Sequence, residues 1–291
     1  MALDPDGAED AYRQNGRDNR DTIIRLLPGD WSFDGKRVLE FGCGAGRVLS
    51  AFADEAGRAE FHGCDVDAES VRWAQEHLVP PFHVFSNAGE PALPFEDDSL
   101  DLIYAISVFS HLADGWSEWL AELHRCLSPD GYLMVTLLGE SASETIAGEP
   151  WDPDRVGMNV LYPEQPWDRG GPMVFISRWW LEARWGRAFE LADYVTAVLP
   201  IHQDWAVLRK KPVEATAALF DEPEPGEPRE VEALRHNVSQ LRRELRAQED
   251  ERSAYRAGVE GSLSWRMTRP LRAVKRFVQS PRGHGRARNR Q

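Results

Sequence analysis

The chain has 291 residues, 42% of them hydrophobic, and a formal net charge of −14 at pH 7. That composition is globular, the length allows one sizeable domain with an extension, and no apolar run is long enough to span a bilayer. Three cysteines without C-x-x-C spacing (Cys43, Cys64, Cys126), scattered histidines and no signal-like start give no sign of a disulfide framework or a metal cluster, and a reduced, cytoplasmic setting is expected.

Residues 1–30 are polar, and Tyr12 to Leu27 reads as a helix. A short apolar strand, Val38 to Phe41, then meets a turn with Gly42, Gly44 and Gly46, and a helix is expected from Arg47 to Ala56. Glycine supplies positive φ and lets a ligand approach the backbone, so a nucleotide-like ligand is expected there. Dinucleotide turns use G-x-G-x-x-G, which would need glycine where Arg47 stands; here the third glycine comes one residue early, and Glu40 sits near the strand's end. A second strand, Glu60 to Asp65, ends in an acid about 20 residues past the glycines, the place from which a carboxylate accepts ribose hydroxyls. Val66 and Asp67 follow, and Asp67 reads as the N-cap of a helix from Ala68 to His77. Phe82 to Phe85 reads as a third strand, with Ser86-Asn87-Ala88 at its end.

The pattern E-x-G-x-G-x-G over Glu40 to Gly46 resembles the first motif of the Rossmann-like, class I S-adenosylmethionine-dependent methyltransferases. Leu93-Pro94-Phe95 through Ser99-Leu100-Asp101 is similar to that family's lead into strand four, and Ser128-Pro129-Asp130-Gly131 to its turn before an apolar strand, Tyr132 to Leu138. The resemblance covers roughly Tyr12 to Lys211. It implies an α/β fold, a seven-stranded sheet with helices on both faces, and S-adenosyl-L-methionine as cofactor. It further implies that Glu40 lies near the methionine end, that the three glycines let the backbone pass beside the ligand, that Asp65 and Val66 meet the ribose, and that Asn87 and Ala88 meet the adenine. The family often has Asp-Ala at the last pair, so Asn87 is a departure that an amide can accommodate. The helix before the first strand covers the cofactor in related enzymes, which makes Tyr12, Arg13 and Arg20 candidate contacts.

The acceptor side is expected after strand four. Ser107, at the end of strand four, is a candidate cofactor contact, and Val108 to Leu112 continue onto the face where ligands bind in open α/β sheets, so that side chains there touch the methyl donor or the acceptor. His111 is either a general base toward an acceptor hydroxyl or a loop cap packed under the cofactor. A helix is expected over Trp116 to Leu127, and Glu140 at the end of strand five is an acceptor contact or a solvated acid. Residues 141–173 lose periodicity and read as a lid-like insertion with Trp151, Tyr162 and Trp167; Ser177 to Phe189 reads as an amphipathic helix against the sheet. Glu190 to Leu199 and Asp204 to Arg209 close the domain as a hairpin whose last strand is antiparallel, as in the resembled family. Its turn, His202-Gln203-Asp204, carries a candidate base and orienter, His202 and Asp204, provided the two share a face.

After Lys211 the composition changes. Residues 212–230 read as an acidic, proline-rich linker that does not pack as a core. Residues 231–259 read as helical, with Val231, Leu234, Val238, Leu241 and Leu245 in a short 3,4 seam that is either a homodimer contact or a solvated helix. Residues 262–291 carry nine Lys or Arg and no Asp or Glu; within the tail from residue 260, Leu263, Met267, Leu271, Val274 and Val278 share a helix face. Such a basic amphipathic segment suits an anionic membrane surface better than nucleic acid, so that either a peripheral position at the inner membrane or a disordered, solvated end is expected. Ser264-Trp265-Arg266-Met267-Thr268-Arg269-Pro270-Leu271-Arg272 resembles a segment at the ends of bacterial glycosyltransferases and glycan-modifying enzymes. That second resemblance implies a sugar hydroxyl of a surface polysaccharide as acceptor, against three rivals: a small-molecule methyltransferase, a non-catalytic cofactor-binding module, and a nicotinamide-dependent oxidoreductase that Glu40 and Arg47 disfavour.

Overall fold

The structure is a computed structural model and describes residues 5–87, 89–146, 157–163, 165, 170–198 and 203–261. The chain divides into two units, Met1–Asn237 and Val238–Gln291.

In the first unit the seven predicted strands form one sheet: β1 (Arg37–Phe41), β2 (Glu60–Asp65), β3 (His83–Ser86), β4 (Leu100–Ala105), β5 (Leu127–Leu137), β8 (Phe189–Val198) and β9 (Gln203–Lys210). Their order is β3-β2-β1-β4-β5-β9-β8. The pairs from β3 to β5 are parallel and β9 is antiparallel to both its neighbours, as the sequence predicts. The order reverses between β1 and β4, so a crevice opens at their carboxyl ends, the place where open α/β sheets bind ligands. Alternate residues of each strand feed two cores. Leu39, Phe41, Ile103 and Val135 join one, while Val38, Leu102, Tyr104 and Met134 join the other with Phe52, Phe61 and Ile23. The second core is covered by α1 (Pro5–Leu26), and α2 (Ala68–Leu78) and α3 (Trp116–Cys126) flank the sheet.

Four local expectations change. The helix predicted after the glycine turn is a 3-10 turn, Leu49–Phe52, inside a run of turns. The Ser50 hydroxyl donates to Arg47 O at 3.2 Å, the carbonyl an α-helix would offer to Ala51, and the Ala51 N–H turns to Val48 O instead at 3.0 Å. The Ser128–Gly131 turn is absorbed into β5 as an irregularity, since Leu127 pairs with Leu100 and Tyr132 already with Leu102. The lid-like insertion is partly regular: α4 (Glu140–Ile146) is followed by a hairpin of β6 (Met158–Leu161) and β7 (Met173–Ile176). Trp151 and Trp167 lie outside the described residues.

The fourth change concerns the predicted linker. α5 (Arg178–Arg184), N-capped by Ser177, packs Trp180 and Leu181 inward, and the chain after Lys211 returns over it as α6 (Ala217–Asp221). Phe220 is fully buried, and its ring stacks on Phe189. The Arg184 guanidinium donates to the carbonyls of Phe220, Asp221 and Glu222 and pairs with Glu230 at 2.8 Å, both side chains buried. Proline and acid composition suggests a free linker; one aromatic and one arginine convert it into a strap. α7 (Pro228–Gly261) begins at its end, with Ala233 buried while Val231 and Leu234 are exposed. In the second unit the described residues continue this helix, and Val238, Leu241 and Leu245 are exposed. No described helix is long and apolar enough to cross a membrane. The tail from 262 lies outside the described residues.

Candidate functional site

The glycine turn hangs from the end of β1. Gly42 and Cys43 both donate their N–H to Cys64 O, at 2.8 and 2.9 Å, which ties the turn to β2. All three glycines have positive φ, +82° at Gly42, +52° at Gly44 and +77° at Gly46, yet they serve different ends. A Cβ on Gly42 would run into Val108, and one on Gly46 into Leu78. A Cβ on Gly44 would meet nothing within 4 Å. Gly44 therefore faces open space, whereas the other two glycines answer to packing. From the other side α1 lies close enough that a Cβ on Gly16 would strike Arg47 O.

Glu40 is 3% exposed, with Tyr104 donating its hydroxyl to Glu40 Oε2 at 3.2 Å. Burial drives its pKa up to about 8; the Tyr104 and Leu49 hydrogen bonds and the charge of Arg47 oppose the rise. A carboxyl group in that state is short of a cation, and an ammonium group placed against it would restore the charge. Tyr12 of α1 stands at the same mouth, its ring 6.0 Å from the Arg47 guanidinium carbon and its phenol raised chiefly by burial, with Glu40 adding to the effect. The other two candidates on this helix are spent structurally. Arg13 pairs with Glu9 on the surface, and Arg20 holds Glu55 and Asp21.

Asp65 ends β2 and organises the second half of the cofactor side. Its Oδ2 accepts the Gly44 N–H at 2.7 Å and its Oδ1 the Asp67 N–H at 2.9 Å. Each oxygen retains a lone pair for a hydroxyl, so vicinal hydroxyls fit there. Asp67 is the N-cap of α2, accepting from Glu69 N at 3.1 Å and from the Ser70 hydroxyl at 2.6 Å, as predicted. Val66 is 65% exposed beside it. The Asn87 N–H donates to Asp65 O at 3.1 Å, which sets Asn87 next to the same carboxylate; Ala88 lies outside the described residues.

Ser107, a cofactor candidate, follows the carboxyl end of β4. It has φ +59°, an unusual value for a residue with a Cβ, and it is held there from two directions. Its N–H donates to Thr136 Oγ1 at 2.7 Å and its hydroxyl to Gln203 Oε1 at 3.2 Å. The His111 Nδ1 lies 2.8 Å from Pro172 O; a carbonyl only accepts, so Nδ1 carries the proton and Nε2 is the basic nitrogen of the neutral ring. The insertion hairpin docks on this loop through β7, with Val174 N donating to Ser110 O at 2.8 Å and Ile176 N to Leu138 O at 2.9 Å.

His202 lies outside the described residues, and with it the expected pair with Asp204; the described contact of Asp204 is to Tyr194. Asp204 shares its face of β9 with Ala206 and Leu208, in the core of Leu39 and Ile103, while Glu40 shares the opposite face with Val38 and Tyr104. Its carboxylate accepts the Tyr194 hydroxyl at 2.8 Å, and Gly139 leaves no room for a Cβ between them. Burial and this carboxylate push the Tyr194 phenol well up. Asp204 thus braces the end of β5 against β8. Gln203, one residue earlier, is the one that reaches Ser107.

The family described as "Methyltransferase domain" matches residues 10–168, from α1 through Glu40, the glycine turn and Asp65 into the insertion. The chain belongs to this family. Phthiotriol/phenolphthiotriol dimycocerosates methyltransferase 1 of Mycobacterium ulcerans is 35% identical over 123 residues, 42% of this chain and 44% of that one. The fatty-acid O-methyltransferase of Mycolicibacterium smegmatis is 31% identical over 103 residues, 35% of this chain and 37% of that one. The chain therefore spans less than half the length of these curated relatives. The PH0226 protein from Pyrococcus horikoshii superposes with a TM-score of 0.51 at 15% identity, over 69% of this chain and 91% of that one. A putative S-adenosylmethionine dependent methyltransferase from Listeria monocytogenes gives 0.51 at 12%, over 67% and 98%. At such identities the likeness is one of fold.

The cofactor of this class I domain, S-adenosyl-L-methionine, fits the residues present. Gly44 faces open space, Glu40 is a buried acid in want of an ammonium partner, and Asp65 has lone pairs for two hydroxyls. Tyr104, Thr136 and Gln203 hold the candidate residues Glu40 and Ser107 and were not among the sequence candidates. Tyr104 and Thr136 sit inside apolar strands, and only their pairing with Glu40 and Ser107 distinguishes them from core residues. The glycan-like words at 264–272 lie beyond the family match, which ends at residue 168.

Proposed function

We propose that the chain transfers a methyl group from S-adenosylmethionine to an oxygen of an acceptor. The observation that carries this is the convergence of Glu40, Gly44 and Asp65 at the carboxyl ends of β1 and β2, with Gly44 N–H on Asp65 at 2.7 Å. The bound cofactor supplies a methyl group already activated by its sulfonium. The protein's part is then alignment: Glu40 takes the amino group, Asp65 the ribose, and the Ser107 to His111 loop bounds the acceptor. His111, whose Nδ1 lies 2.8 Å from Pro172 O, is the base that accepts the acceptor proton in this reading.

Two acceptor readings differ in what supports them. The tail words at 264–272 favour a sugar hydroxyl of a surface polysaccharide, and membrane contact through 262–291 would bring the enzyme to lipid-linked chains. The names of the relatives favour a lipid oxygen, and so do the apolar residues beside the loop, Leu138, Ala142, Leu161 and Phe175. The lipid oxygen is the better supported. Labelled-methyl transfer into extracted lipids, polysaccharide and lipid-linked precursors separates the two, and Asp65→Ala with intact folding and unchanged cofactor affinity would sink the site. A homodimer through 231–245 is supported by the exposure of Val231, Leu234, Val238, Leu241 and Leu245; sedimentation of the full chain as a monomer at high concentration rejects it.

A further inference from the structure

Asn159 is 3% exposed, and among the described residues it is the amide side chain for which both the Nδ2 donor and the Oδ1 acceptor lack a hydrogen-bond partner. An amide in that state is disfavoured against an apolar residue of the same size, and native structures pair nearly all such groups. Its surroundings offer no pairing. Asn159 stands opposite Phe175 in the β6–β7 hairpin, so the period of two puts Asn159, Leu161, Phe175 and Met173 on one face. That face closes on Leu138 and Ala142, forming a small apolar cluster apart from the two main cores.

The cluster's position matters more than its size. Leu138 follows the carboxyl end of β5, and Phe175 bridges to it. The same edge of β7 is tied to Ser110, whose own hydroxyl is buried and without a partner, and Ser110 precedes His111. Unsatisfied polar groups thus flank β7 on both sides, next to the loop that bounds the acceptor. A largely apolar wall with few polar groups is the usual make-up of a small-molecule pocket.

We infer that Asn159 is an acceptor-recognition residue. Its amide hydrogen-bonds a hydroxyl or carboxyl oxygen of an acceptor whose remaining body is apolar and packs on Leu138, Leu161 and Phe175. The inference rests on the methyltransferase reading and deepens it by naming the acceptor class. An amide both donates and accepts, so it satisfies a hydroxyl in either direction and a carboxyl group through either oxygen. A free sugar, with hydroxyls all round, would leave most of them unpaired against this wall.

The test uses the full chain with Asn159→Leu, and Asn159→Ala in case leucine is not accommodated. Dodecanoic acid, 1-dodecanol and methyl α-glucoside serve as acceptor probes, and cofactor binding is measured by calorimetry. Wild type is expected to methylate the acid or the alcohol, the two arms telling a carboxyl from a hydroxyl acceptor, and to leave the glucoside untouched. Asn159→Leu should raise the melting temperature of the ligand-free protein by about 2–5 °C, because an unpaired amide is removed. It should leave cofactor affinity within about twofold and lower kcat/KM on the probe by about tenfold or more through KM. Unchanged kcat/KM in both variants overturns the inference. So does a fall in melting temperature in both, which would mean that ordered water pairs the amide structurally. Use of the glucoside alone, or of none of the probes by a protein that binds S-adenosylmethionine, also overturns it. Failure to bind the cofactor at all strikes instead at the methyltransferase reading.

Discussion

Glu40→Gln should stabilise the ligand-free protein while weakening the cofactor site. The Glu40 carboxyl has an ordinary value of 4.5 in the unfolded chain and is pushed up to about 8 by burial in the folded one. Between those values the folded protein keeps a proton that the unfolded chain has released, so stability falls as pH rises from 4.5 to about 8 and is level beyond. At 1.36 kcal/mol per pH unit, the penalty near pH 7 is about 3 kcal/mol. Glutamine keeps the acceptor for the Tyr104 hydroxyl and cannot ionise, so the variant escapes that penalty. For a domain of this size the gain amounts to roughly 6–12 °C at pH 7 as an upper bound. Thermal unfolding of both proteins without ligand, from pH 5 to pH 8.5, reads the difference directly. The gap should widen with pH, from about 1 kcal/mol at pH 5 to about 4 kcal/mol at pH 8. S-adenosylmethionine affinity should fall about tenfold or more, since the cation loses its counter-charge. Wild-type binding at pH 7 should release a proton, seen as a calorimetric heat that depends on the buffer. A gap that does not change with pH, or a variant less stable than wild type at pH 8, refutes the assignment of Glu40 as a buried acid in need of a cation.

The two kinds of glycine in the turn should separate cleanly. Gly44→Ala places a Cβ in open space and should cost only the left-handed backbone penalty of about 1–2 kcal/mol while blocking the cofactor, whereas Gly46→Ala adds a collision with Leu78 and should destabilise by more, as thermal unfolding and calorimetry would show. Arg184→Ala strands the buried Glu230 carboxylate and frees three carbonyls of the strap, and a loss of about 3–5 kcal/mol in chemical denaturation is expected. Removing residues 262–291 should release the protein from anionic liposomes and spare transfer to a soluble acceptor; full-length protein that never binds such liposomes ends the membrane reading.

What the sequence made legible were features written within a few residues of each other. The acid and glycines of Glu40 to Gly46, the capping Asp67 before Ala68, and the acid at the end of β2 each signal through local backbone demands, so their roles in turn, cap and strand end could be read in advance. Contacts between distant segments left no such trace. Tyr104 lies 64 residues from Glu40 and Gln203 lies 96 from Ser107, and neither partner has a composition that names the other. Phe220 and Arg184 turned a linker-like composition into a packed strap for the same reason: burial of one ring outweighs the solubility of its charged neighbours.

The His202-Gln203-Asp204 turn shows where that limit falls. A strand's period of two requires that Gln203 and Asp204 face opposite sides of the sheet, and this much is readable from sequence. Which of the two faces the cofactor side depends on register. Trp205 pairs with Thr136 and Asp204 with Leu137, and Thr136 is the residue whose hydroxyl accepts from Ser107. Gln203 shares the face of Trp205 and Thr136, so it reaches Ser107, and Asp204 is carried to Tyr194 on the other side. A slip of one residue in that pairing would exchange their roles. Chemistry alone favoured the carboxylate beside a histidine as the working group; register hands the position next to Ser107 to the neutral amide.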